Sequence, residues 1–546
     1  MKRRTLLALT TSLILATKPL LADGHALTVH PETGEKLAAD QTFSYRMLDQ
    51  FPTLDPALNE ETAGFHAIRQ MFEALVSQDA DGNIVPGVAE SWETKDNQTW
   101  TFNLRQDAKW SNGDPVTAND FIYAWRRAVS PATASPYAWY IELSSIENAA
   151  EILAGEADPE TLGAEAVDDY TLRVSLTQPL PFFTSIVTYA TFMPVHEATI
   201  EAHGSDWTQP GNIVSNGAYV LEDVALNEYW SATKNPEYWD AESVIIEKVT
   251  GLIINDVNQA LTRYESGEYD MIEPLPAGSF PRLQEERPDE AVSVPRLCSY
   301  YYQFNQTDTG HPALQDPNVR RALSLAIDRD IIVDQILQGG QTAAFTFSHA
   351  KTAGFVTPEI DYMNMSQADR DAEAQSLLQE AGFGTGGEPL ELDLIYNTSE
   401  NHKQIATVIS QMWKQKLGVE TTLSNYEWST YLDIRKAQNF DVARSAWCAD
   451  YNEASTFLKT MVTDHENNDG KYSNPQVDEL MAGFATAEDP QAIYSEVERI
   501  IAADMGIAPI YHYANAFLLR ADMKGWPYNN AENNWYVKDF YRVAEE

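Results

Sequence analysis

At 546 residues with 44% hydrophobic content, the chain is too long for one core and carries apolar material for about three or four domains. A formal charge of -44 makes its surface acidic, which excludes nucleic acid and anionic membranes as partners. No GxSxG, HExxH, GxGxxG or P-loop pattern occurs, and the His residues are scattered without metal-ligand spacing, so no catalytic site, metal site or cofactor is expected.

Residues 1–26 read as a secretory signal. Lys2, Arg3 and Arg4 precede an apolar run from Leu6 to Ala16, followed by small residues with cleavage after Ala22 or Ala26. The apolar run is too short for a membrane anchor, and no Cys is present there to carry a lipid. No later stretch is apolar enough to span a bilayer, so an exported protein without membrane insertion is expected.

Thr42 to Leu48 reads as a strand, and Phe65, Ile68, Met71, Phe72 and Leu75 give helical spacing over residues 64–77. Trp100, Phe102 and Leu104 alternate as a half-buried strand requires, and Thr117-x-x-Asp120 opens a helix from Ala118 to about Val129 with capping-box chemistry. Tyr170, Leu172, Val174 and Leu176 define another strand, and Asn216-Gly217 a turn before the next. Residues 257–267 form a helix stopped at Gly267.

CSYYYQFN, from Cys298, is a strand, and Asp316-Pro317 starts a helix expected to run to Gly339-Gly340. Ser366-x-x-Asp369 opens a helix that ends at Gly382. LELDLIYN, the amphipathic HKQIATVISQMWKQKLG and VETTLSNY then form a β-α-β unit with parallel strands, whose carboxyl ends are where ligands usually bind.

The stretch FDVARSAWCADYNEASTFLKT, Phe440 to Thr460, places Arg444, Trp447, Cys448 and Asp450 within seven residues of extended chain. Such a strand suits a short peptide, because its backbone N–H and C=O groups pair with a second extended chain of any sequence. Asp450 is then a clamp for a free α-ammonium group and Arg444 one for a carboxylate. On the residues alone, an Asp after a strand such as Asp450 is more often a turn former or helix cap, and an Arg such as Arg444 is more often solvated. Cys298 and Cys448 read either as a disulfide or as two buried thiols.

WCADYNE with its preceding Arg, VPGVAESW, LRQDAKWSNGDPVTANDFIYAW and WTQPGNIVSNGAYVLEDV together resemble the periplasmic oligopeptide-binding proteins of ABC peptide importers, the family 5 extracellular solute-binding proteins. The resemblance covers nearly all of the chain after the signal. It implies an α/β, two-lobed periplasmic binding protein fold (type II, cluster C) with an additional third domain. The expected division is residues 27–72, 197–297 and 517–546 in lobe I, 73–196 in domain II and 298–516 in lobe III.

The same resemblance implies a disulfide between Cys298 and Cys448 and a peptide site. Asp450 would meet the α-ammonium, and Arg444 and His402 the terminal carboxylate. Asn397, Trp428, Tyr301, Tyr137 and the backbone of Ala446 and Cys448 would lie along the ligand, with Glu60 and Thr62 on the opposite lobe. His402 also reads as a solvent-exposed residue at a helix start, and Trp428 as core packing. The sequence departs from the family at Gln303, where an acidic residue is usual, and at Gln335, Leu337 and Gln338, where no Lys appears.

The implied function is capture of short linear peptides with a free N-terminus, by hinge closure, for the permease subunits of an ABC importer in the inner membrane. The protein would act as a periplasmic monomer. A murein peptide, a dipeptide or a metal or haem complex on the same scaffold is the alternative.

Overall fold

The computed structural model describes residues 27–384, 386–487 and 489–544; the expected signal segment lies outside them. Among the described residues an eleven-stranded mixed sheet runs through the molecule. Its order is Glu420–Tyr426, Glu391–Asn397, Val442–Cys448, Ala291–Phe304, Ile507–Leu519, Met271–Ile272, Thr42–Met47, Lys248–Ile253, Tyr229–Lys234 and Tyr219–Ala225, with Thr342–Ala343 paired to one side.

Two of these strands are far longer than the rest, and they join the halves. Ala291–Phe304 and Ile507–Leu519 pair antiparallel along both halves, with a register shift between Pro295 and Ser299. Pro295 has no N–H to give, so the ladder is weakest at that point. The boundaries expected at 297/298 and 516/517 fall inside these two strands.

A large hydrophobic core lies on each side of the crossing. One gathers Phe43, Trp230, Phe102 and Trp125, and the other Tyr302, Leu323, Leu394 and Trp413. A separate four-stranded antiparallel sheet, Ala89–Thr94, Thr99–Leu104, Thr171–Ser175 and Ala164–Asp168, belongs to the first core, together with the helix Ala118–Val129. Asp120 accepts from the Thr117 N–H at 2.7 Å, as the capping spacing predicts.

Two expected helices end early. The one expected over 64–77 spans Thr62–Met71 and is followed by a short strand, Val76–Gln78. The Asn216 side chain accepts from the Glu73 N–H and donates to the Glu73 carbonyl, while the Gly217 N–H bonds the Met71 carbonyl. The Asn-Gly turn therefore takes over the helix end from 143 residues away. The helix from Pro317 stops at Leu325 rather than continuing to Gly339. Buried Arg329 donates to the Ser324 and Ile327 carbonyls and so satisfies that terminus, and Asp328 caps the next turn.

The β-α-β unit folds as read. Glu391–Asn397 and Glu420–Tyr426 are parallel neighbours joined by the helix Glu400–Leu417. Its amino end is capped by Ser399 and its carboxyl end by Gly418 in the left-handed conformation, φ 72°.

Candidate functional site

The strand Val442–Cys448 lies beside Ala291–Phe304 over its full length, from Val442 opposite Phe304 to Cys448 opposite Cys298. Its other edge pairs with Glu391–Asn397 only at Val442 and Ala443. From Arg444 onward that edge has no strand partner among the described residues. The Tyr431 hydroxyl donates to the Arg444 carbonyl, and strand alternation turns the backbone of Ala446 and Cys448 to the same side. This open edge borders a cavity of about 410 Å³ between the halves of the molecule.

Cys298 and Cys448 are joined by a disulfide. The bond ties the end of the open edge to the middle of the long strand Ala291–Phe304, so the position of Cys448 is fixed.

Asp450 sits just past the strand, buried, with its N–H bonded to the Thr456 hydroxyl at 2.9 Å. One carboxylate oxygen accepts from the Tyr137 hydroxyl at 3.3 Å, and the other is buried without a partner. No cation lies within ion-pair distance of it among the described residues. Burial pushes its carboxyl up to about 7, against the opposing pull of the Tyr189 and Tyr137 hydroxyls and of Arg69.

Arg444 is the complementary case at the other end. It is buried, donates to Asn397 Oδ1 at 3.3 Å and to the Tyr513 hydroxyl at 3.0 Å, and lies 4.9 Å over the Tyr300 ring. Its Nε has no partner, and among the described residues no carboxylate pairs with it. A buried guanidinium held only by neutral groups is placed to receive an anion.

Of the other expected contacts, Asn397, His402, Trp428, Tyr137, Glu60, Thr62, Ala446 and Cys448 all border the cavity. Tyr301 does not. Its side chain points to the opposite face of the sheet and packs against Phe347 at 4.9 Å, while its neighbour Tyr300 lies under Arg444. Neither tyrosine is among the residues that border the cavity.

His402 is not a solvent residue. Its Nδ1 is buried without a partner, its ring lies 5.6 Å from Tyr300, and burial and the charge of Arg444 hold its pKa well below the usual value. It therefore offers a neutral imidazole, a hydrogen-bonding group and not a second cation. Trp428 both borders the cavity and stacks on Tyr431, at 6.1 Å. The Glu60 carboxylate is engaged by Lys436 at 2.5 Å, an ion pair across the cleft.

Sequence reasoning missed Arg69, Tyr189 and Glu532, which also border the cavity. Arg69 is buried with its Nε unpartnered, and Glu532 has one unpartnered oxygen and is pushed up to about 7 by burial. No motif marks them, because the three come from distant parts of the chain and meet only in the fold.

The model of the bacterial extracellular solute-binding proteins, family 5, matches residues 83–469. The chain belongs to this family. It is 42% identical over 514 residues to the Escherichia coli periplasmic murein peptide-binding protein MppA, covering 94% of this chain and 95% of that one. It is 41% identical over 528 residues to the Salmonella typhimurium periplasmic oligopeptide-binding protein OppA, covering 96% of each.

The family 5 fold is equally evident in three dimensions. The Haemophilus influenzae OppA complex with the peptide RPPGFSPFR superposes with a TM-score of 0.89 at 38% identity, covering 93% of this chain and all of that one. The E. coli murein tripeptide-binding protein MppA superposes at 0.91, with 41% identity and the same coverage. The unliganded open form of MppA, at 42% identity and covering 94% and 99%, superposes at only 0.67. The same relative thus matches well in one arrangement of its lobes and poorly in the open one. The present structure has its lobes together.

Proposed function

We propose that this family 5 protein captures short linear peptides with a free amino terminus and presents them, lobes closed, to an ABC importer. The observation that carries the reading is the open edge from Arg444 to Cys448, flanked by a buried cation and a buried carboxylate, neither with an oppositely charged partner among the described residues. Backbone pairing along the edge is indifferent to ligand side chains, whereas the two end charges demand a zwitterionic ligand.

The ends set direction and length. Asp450 and Arg444 are six positions apart, a separation of at most roughly 20 Å along an extended chain. With the reach of the guanidinium subtracted, a peptide of a few residues bridges them. The ammonium end lies at Asp450, so the ligand runs antiparallel to the strand. Lobe I and lobe III, with the division at 297/298 and 516/517, would move about the register shift near Pro295, where only two strands cross. Peptide bound to one lobe gains the other lobe's contacts on closing, so ligand binding favours the closed state.

Export to the periplasm, action as a monomer without enzymatic turnover, and permease subunits as partners complete the reading. It is supported by the family and by the signal-like first 26 residues. Titration with a tripeptide, with and without N-acetylation, tests it, because acetylation removes the charge that Asp450 requires. A murein peptide is the second reading. Arg69, a buried cavity cation without a carboxylate partner among the described residues, would receive an additional ligand carboxylate, and competition between a murein peptide and an unmodified tripeptide separates the two.

A further inference from the structure

A second cavity, of about 440 Å³, lies next to the main cleft. Glu60, Lys436 and Asn467 border both spaces. The wall between them is therefore the Glu60–Lys436 ion pair, with the buried and unpartnered Nδ2 of Asn467 beside it. The pair is not rigidly enclosed: the Lys436 side chain is 46% exposed. A half-exposed lysine gains little from its partner and leaves it readily.

The remaining lining comes from the 130–138 segment, including Ser135, Pro136 and Ala138 and the exposed Pro131 and Ala134, with Leu153 and Glu466. Ser135, Pro136 and Ala138 flank Tyr137, whose hydroxyl donates to Asp450. The annex thus adjoins the amino end of the ligand. A peptide chain cannot extend past its own α-ammonium group, so nothing but a side chain can enter here. The charges name the kind. Two carboxylates, Glu60 and the exposed Glu466, face one ammonium, that of Lys436. A second cation would balance the set.

We propose that the Glu60–Lys436 pair is a removable wall, and that the annex takes a long basic side chain from the first or second residue of the bound ligand. Its terminal cation replaces Lys436 at Glu60, and Lys436 turns to Glu466. This rests on the peptide reading and gives it a side-chain preference at one end.

Calorimetric titration of the full chain with tripeptides carrying lysine, or its uncharged analogue norleucine, at residue 1 or residue 2 tests the inference. At one of these positions lysine should bind roughly two- to fivefold more tightly than norleucine. Lys436→Met should widen that ratio, and Glu60→Gln combined with Glu466→Gln should remove it. Thermal melts establish that each variant folds, and Glu466→Gln alone serves if the double variant does not. Equal binding of lysine and norleucine peptides, or a ratio unmoved by the variants, overturns the annex and leaves the peptide reading standing. Failure of every tripeptide to bind overturns both.

Discussion

The Tyr137 hydroxyl donates to one oxygen of Asp450 at 3.3 Å and leaves the other oxygen buried without a partner. Tyr137 belongs to the region of the four-stranded sheet, and Asp450 follows the cleft strand, 313 residues later. The contact therefore holds the carboxylate at the meeting of two parts of the molecule and reserves one oxygen for something else. Removing Asp450 should remove the partner of the ligand's ammonium. Asp450→Ala is expected to weaken a free tripeptide by roughly 3–5 kcal/mol, the usual cost of stripping one member from a buried charge pair. Calorimetry with the wild-type and variant proteins measures it.

The same carboxyl gives a pH dependence. Burial pushes Asp450 up to about 7 in the unliganded protein, so below that pH it is mostly protonated and its neutral form has no charge for an ammonium group. Affinity for a free-amine peptide should rise as pH increases from 5 to 7.5, approaching tenfold per unit below about pH 7. Asp450→Asn should flatten the profile, which titrations in a series of buffers would show.

Stability runs in the opposite direction. Asp450, Glu498 and Glu532 are each raised by burial to about 7, whereas in the unfolded chain they titrate near ordinary carboxylate values. Between those limits these three groups bind more protons in the folded state, so the stability they contribute falls as pH rises through the window. Buried histidines such as His402, held low by burial, act with the opposite sign, so the carboxyl is isolated by comparing wild type with Asp450→Asn: the variant's melting temperature should gain on wild type from pH 5 to pH 8. Asp450→Asn should raise it at pH 8 while abolishing binding. A scanning-calorimetry series checks both signs.

At the other end of the strand, Arg444 is oriented by Asn397 and Tyr513 and lies on Tyr300. A lysine keeps the charge but loses the planar fork and the stacking. Arg444→Lys should weaken tripeptides substantially, and a tripeptide amide, which has no carboxylate, should lose much less. Comparing the two ligands on the two proteins isolates the carboxylate contact.

The disulfide between Cys298 and Cys448 pins the open edge to the long strand beside it. Cys298→Ser with Cys448→Ser should cost about 2–5 kcal/mol of stability, seen as a lower urea midpoint.

Much of this was legible in the sequence where the signal is local. The capped helix Ala118–Val129 and the β-α-β unit from Glu391 to Tyr426 follow from periodicity and caps, and both formed as read. The errors arise where distant residues intervene. Asn216 ends the first helix from another strand's turn, and Arg329 ends the helix from Pro317. The face of Tyr301 is not legible because three consecutive tyrosines give no alternation from which to read it. Arg69, Tyr189 and Glu532 carry no local pattern and come together only in the folded molecule. The four-stranded sheet shares its core with the strands Thr42–Met47, Tyr229–Lys234 and Lys248–Ile253, so composition could not mark its boundary.

The account turns on a zwitterionic ligand gripped by its ends, and one experiment addresses that directly. A mixed-sequence tripeptide is titrated calorimetrically into the protein, first free and then N-acetylated. Binding of the free peptide and loss of binding on acetylation is the predicted result, since the acetyl group removes the charge that buried Asp450 would pair. Equal binding of the two forms would contradict the amine clamp and the account built on it.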